Sequence, residues 1–159
     1  MTAPVVLITG AAGGMGRAIA RRFAAGGWSV AATDLDDTSL AALEAEVPLV
    51  ARVPADLRCP EACYGVLGET FARARRLDAL INAAGVWREE PIESFTEQDF
   101  DLLVDVNLKA AFFMCAAAIP ALRATRGAIV NISSNGLATV GFGSPQSGLR
   151  ASPVLGRVD

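Results

Sequence analysis

The sequence predicts an α/β fold, a doubly wound parallel sheet of the Rossmann type. Three observations predict it. Short apolar runs alternate with helical patterns along most of the 159 residues. The first run leads through a glycine-rich turn directly into a helix. An acid closes the second run, 18 residues after the last glycine of that turn.

Val5-Val6-Leu7-Ile8, ending in Thr9-Gly10, reads as a fully buried strand and a turn. Met15 to Phe23 has apolar residues at helical spacing with arginines on the other face, and Gly26-Gly27 closes it. Ser29 to Thr33 is a second strand, closed by Asp34. Ser39 to Val47 has a helical pattern, and Leu49 to Val53 is a third strand with Asp56 beyond it. Pro60 to Arg76 predicts a helix whose proline sits where a missing N–H does no harm. Ala79 to Asn82 is a fourth strand. Thr96-Glu97-Gln98-Asp99 resembles a capped start for a long helix running towards Leu122. Ala128 to Ile132 is a fifth strand. Strict alternation predicts a parallel sheet covered on both faces, with right-handed crossovers and the ligand at the carboxyl ends of the strands.

From Asn135 onward the chain is rich in glycine, proline and serine without a period. The expected organisation is a nucleotide-binding domain over residues 1–134, truncated after about the fifth strand, and an irregular tail over 135–159. The fifth strand would then be an uncovered edge.

Composition narrows the function. A net charge of -3 and a pI near 5.0 leave no basic footprint for nucleic acid. The chain has no histidine, which excludes Ser-His-Asp and Cys-His catalysis and every zinc site that needs an imidazole. No metal site is expected. Cys59, Cys63 and Cys115 form no disulfide framework and are expected as reduced thiols of a cytoplasmic protein. Met1-Thr2-Ala3-Pro4 is no secretory signal, and Ala110 to Leu122 is too short to span a bilayer and contains Pro120, so a buried helix is expected there.

The glycine turn, Thr9 to Gly16, brings bare backbone close to a diphosphate and aims a helix N-terminus at its charge. A generic strand-to-helix turn is the plainer alternative. Asp34 stands beside the tip of the first strand, where a carboxylate can accept hydrogen bonds from both ribose hydroxyls of adenosine. A 2′-phosphate there would meet a like charge, at a cost of roughly several kcal/mol. Position 13 is glycine and not basic. Both features favour NAD over NADP, although Asp34, with Asp36 and Asp37 nearby, could also be a solvated loop acid.

Several motifs in order resemble the classical short-chain dehydrogenase/reductase family. Thr9, Gly10, Gly14 and Gly16, with Met15 among them, match its glycine turn. Asp34 matches its NAD-selecting acid, and Asp56-Leu57 matches its adenine-pocket pair. Asn82-Ala83-Ala84-Gly85 matches the motif after its fourth strand. Asn107 matches its active-site asparagine, and Asn131-Ile132-Ser133-Ser134 the segment ending in its active-site serine, here Ser134. The resemblance implies hydride transfer between a nicotinamide and a small alcohol or carbonyl compound. In it Ser134 polarises the carbonyl and Asn107 positions a relay water. It also implies a tyrosine phenol as acid/base and a lysine four residues later that lowers its pKa. The tyrosine is due within Pro145 to Leu149, where none stands; the chain's tyrosine is Tyr64 and its lysine Lys109. Losing a positioned acid/base costs about 10²–10⁴-fold in rate, so little turnover is expected.

Three accounts follow. The first is a truncated or frameshifted product of an NAD-dependent oxidoreductase gene, with Val140 and Phe142 at what remains of the substrate pocket. The second is a non-catalytic NAD-binding or regulatory module. A nucleoside-triphosphate site ranks last, because no Gly-x-x-x-x-Gly-Lys-Ser/Thr is present.

Overall fold

The computed structural model describes residues 2–88, 91–133 and 156–157. Strands β1 (Val5–Thr9), β2 (Ser29–Asp34), β3 (Leu49–Pro54), β4 (Ala79–Asn82) and β5 (Ala128–Asn131) form a parallel sheet in the order β3-β2-β1-β4-β5. Helices α1 (Gly14–Ala25), α2 (Asp37–Glu44) and α3 (Pro60–Ala74) provide the first crossovers. A short 3₁₀ turn (Ile92–Ser94), α4 (Glu97–Val104), a π-helical turn (Asp105–Lys109) and α5 (Ala110–Thr125) lead into β5.

All five residues of β1 are buried, because it is the central strand and has helices on both faces. Alternation divides them. Val5 and Leu7 join Leu80, Met114 and Leu122 in the core under α3 and α5. Val6 and Ile8 join Ala20, Leu40 and Leu43 in the core under α1 and α2. Each aliphatic side chain so buried stabilises the fold by about 1.5–3 kcal/mol. At the amino edge, Asp78 accepts a hydrogen bond from Val5 N at 2.7 Å and is forked by Arg76.

Element boundaries differ from the sequence reading for local reasons. The α2 helix begins at Asp37 because the Asp36 carboxylate caps it, accepting from the N–H groups of Thr38 and Ser39. The α3 helix stops at Ala74 because Arg75 turns left-handed, at φ 58°. Thr96 and Asp99 form a reciprocal capping box, as their spacing predicts.

Two larger differences appear. The fifth strand is not a bare edge: Gly156–Arg157, where the sequence predicts no strand, forms β6 and pairs antiparallel with Ala128 and Ile129. The apolar run Ala110 to Leu122 also belongs to a continuous 29-residue helix, Glu97–Thr125, long and apolar enough by composition to cross a membrane. In its α5 part Ala110, Met114, Ala118 and Leu122 are fully buried in the core, whereas Phe112 is exposed, so the expected burial holds for one face.

Candidate functional site

The chain builds β1, then β2 and β3 on one side, then returns to place β4 on the other side of β1. Connections leaving the carboxyl ends of β1 and β4 therefore diverge and leave a crevice between them. A cleft of about 610 Å³ opens there, within the range of small-molecule sites.

The floor is the glycine turn. Gly10 adopts φ +61°, and a Cβ on it would lie 2.7 Å from the Ala84 Cα. A Cβ on Gly16 would collide with the Gly10 carbonyl and lie 2.7 Å from the Ala11 Cα. These two glycines let backbone pack on backbone. Gly14 is different, because a Cβ there would meet nothing within 4 Å. It faces the cleft, where its absent side chain leaves room for a ligand. The N-cap of α1 is Gly13, with no side-chain cap and no acid in the first turn. The first N–H groups of a helix lack intrahelical partners, so those of Gly14 and Met15 are available to an anion.

Asp34, at the tip of β2, lines the same cleft. Its carboxylate accepts from Ala12 N at 2.9 Å and from Leu35 N at 2.8 Å. It thus ties the glycine turn to β2 and retains lone pairs for further donors. Asp56 and Leu57, just beyond β3, form the next part of the wall. The Arg58 guanidinium beside Asp56 holds that carboxyl below its usual range. Ala83 and Gly85 complete the wall after β4.

Thr9, Asn82 and Asn107 stand behind the wall, outside the lining. The buried Thr9 hydroxyl accepts from Ala83 N at 3.1 Å and Ala84 N at 3.0 Å, fixing the start of the β4–α4 connection to the end of β1. The Asn107 carboxamide accepts from Val86 N at 2.8 Å and donates to Val86 O at 3.0 Å. It sits in the π-helical turn, a distortion frequent at functional sites. Asn82 donates to Asn131 Oδ1 at 2.8 Å and approaches Cys115 Sγ at 3.3 Å. Burial pushes the Cys115 thiol up.

Sequence reasoning missed Arg58 and Cys115. Arg58 stands two residues past Asp56, a spacing that by itself reads as a solvated ion pair; Cys115 had no signal, since its partners are strand ends distant in sequence. Lys109 pairs with Asp105 at 2.6 Å, and Tyr64 stands half-exposed on α3. Ser133 follows β5, whereas Ser134, Val140 and Phe142 lie outside the described residues.

The family model for short chain dehydrogenases matches residues 4–145. The chain belongs to that family. This short-chain dehydrogenase chain is 38% identical over 131 residues to L-fucose dehydrogenase of Oryctolagus cuniculus, a match covering 82% of the chain and 46% of that protein. It is 38% identical over 135 residues to D-threitol dehydrogenase of Mycolicibacterium smegmatis, covering 82% and 52%. A short-chain dehydrogenase/reductase structure from Brucella melitensis superposes with a TM-score of 0.82 at 27% identity, covering 92% of this chain and 64% of that one. The chain spans about half the length of the curated relatives it matches.

Membership of the short-chain dehydrogenases implies NAD(P). The residues fit such a group. Free helix-terminal N–H groups and the open space at Gly14 suit a diphosphate, and the two acids at the strand tips suit the hydroxyl and amino donors of adenosine.

Proposed function

We propose that this chain binds NAD in preference to NADP. It would be the cofactor-binding part of an oxidoreductase that transfers hydride between nicotinamide and a small alcohol or carbonyl compound. The supporting observation is the convergence in one cleft of an uncapped helix N-terminus, a glycine with open space above it, and the Asp34 carboxylate. The nicotinamide, when bound, supplies the hydride acceptor or donor. The chain's part is binding and orientation. The N–H groups of Gly14 and Met15 would hold the diphosphate, in a turn closed by the packing of Gly10 and Gly16, Asp34 would hold the adenosine ribose, and Asp56 with Leu57 the adenine, while the family resemblance gives Ser134 the polarising of the substrate oxygen. The Asn107 carboxamide is engaged twice by Val86, so it acts by position, holding the Gly85–Val86 segment against the long helix. Its second N–H and second oxygen lone pair would remain for a relay water.

Relatives named for L-fucose and D-threitol support a small polyol or sugar as the substrate class. Without a Tyr-x-x-x-Lys pair, this chain is proposed to turn over slowly, as the truncated or frameshifted form of a longer enzyme. Reading the coding DNA in its other two frames past codon 145 tests that part. The missing pair also favours a second reading, a non-catalytic NAD-binding module, which predicts affinity without turnover. Calorimetric titration with NADH and NADPH tests what both readings share. Heat with NADH, and weaker binding of NADPH, is expected; no heat at millimolar NADH ends both.

A further inference from the structure

Arg58 lines the cleft beside Asp34, Asp36 and Asp56, and it is the one basic residue among the described lining residues. Its Nε donates to Asp56 Oδ1 and Oδ2, at 3.0 Å each, and its Nη2 to Oδ2 at 2.5 Å. The Arg58 backbone N–H adds a bond to Oδ1 at 3.1 Å. Both side chains are substantially exposed, at 49% and 40%, so the pair contributes little to stability. What the fork does fix is orientation. A guanidinium joined to a carboxylate in this way has a set plane, and the faces of that plane carry no hydrogen bond. The neighbouring Leu57 is buried and apolar. A planar, weakly hydrated cation beside apolar wall is a stacking surface for an aromatic base.

We propose that the Arg58 guanidinium is one wall of a purine slot, stacking on adenine while it holds the Asp56 carboxylate towards the base's amino group. The proposal rests on the NAD reading above. It makes Arg58 a binding residue for the adenine half of the cofactor and gives it no part in the nicotinamide half. Because its charge is already matched by Asp56, the guanidinium is a flat surface here and not a free phosphate receptor.

The test is calorimetric titration of the full chain and of Arg58→Ala with NADH, NADPH, ADP and UDP. Stacking on arginine serves purines best, so Arg58→Ala weakens NADH and ADP about tenfold and UDP less than threefold. Arg58→Lys, which keeps the charge and loses the plane, stays within about threefold of Arg58→Ala. Melting temperatures of both variants match the parent, which separates binding from folding. Equal losses for ADP and UDP, or unchanged ADP affinity in Arg58→Ala, overturn the proposal. A loss confined to NADPH would assign the guanidinium to a 2′-phosphate and also overturn it. If the parent chain binds neither NADH nor ADP, the NAD reading itself fails, and this inference with it.

Discussion

Gly14 and Gly16, five and seven residues past the end of β1, should respond oppositely to the same added methyl group. In Gly16→Ala the new Cβ collides with the Gly10 carbonyl and lies 2.7 Å from the Ala11 Cα and 2.8 Å from the Gly10 carbonyl carbon. All three are backbone atoms, which cannot rotate away. Overpacking against backbone that cannot move aside falls at the upper end of the usual range, about 3 kcal/mol, and the helix-propensity gain of alanine over glycine returns only about 1 kcal/mol. A net loss of about 2 kcal/mol lowers the melting temperature by roughly 4–8 °C for a chain of this size. In Gly14→Ala the methyl group enters open cleft, so stability stays level or rises by up to about 1 kcal/mol. The same methyl group would stand where the diphosphate approaches, so NADH affinity falls at least tenfold. Thermal melting and calorimetric titration of both variants check the pair. Gly14→Ala binding NADH like the parent, or Gly16→Ala melting with it, would refute the division of these glycines into a ligand position and a packing position.

Asn107→Ala removes both bonds to Val86 at an exposed rim, where water can take their place, and costs about 1 kcal/mol; hydrogen exchange at the Val86 amide accelerates ahead of global unfolding. Asp34→Asn keeps one acceptor oxygen but removes the charge, so the ratio of NADPH to NADH affinity rises; an unchanged ratio in titration would show that Asp34 does not select the cofactor. Burial alone would raise the Asp78 carboxyl, but Arg76 and the Val5 N–H outweigh it and hold it below the ordinary carboxylate range. A lowered folded-state pKa means that its stabilisation is complete above about pH 4 and is lost as pH falls through the folded value. Urea unfolding of Asp78→Asn should therefore show a shallower loss of stability below about pH 4 and a cost of about 1–3 kcal/mol at neutrality.

The fold was legible wherever a local pattern was also the physical cause. β1 needs only its buried apolar run, and α4 needs only the Thr96–Asp99 box. Helix ends were less so: Arg75 stops α3 in a left-handed conformation that glycine would have announced. The sequence puts Asp34 at the end of the second strand, and it stands there, yet its bond to Ala12 N depends on how β1 and β2 register. Asn107 was located from spacing, but its grip on Val86 spans 21 residues and a crossover. Arg58 hid because an arginine after an aspartate looks like any solvated pair until the cleft wall is assembled around it. β6 could not be foreseen, since two residues carry no period.

The wide turn at Asp105–Lys109 makes the architecture and the chemistry of the long helix separable. A π-helical turn is one residue more than regular winding requires. Removing a single residue there, such as Leu108, would let the rod wind uniformly while the stripe from Ala110 to Leu122 re-seated on the sheet. The carboxamide of Asn107 would swing by about 100°, one residue's rotation, and release Val86. One deletion thus distinguishes the scaffold, which would survive, from the alignment of the cleft rim, which would not.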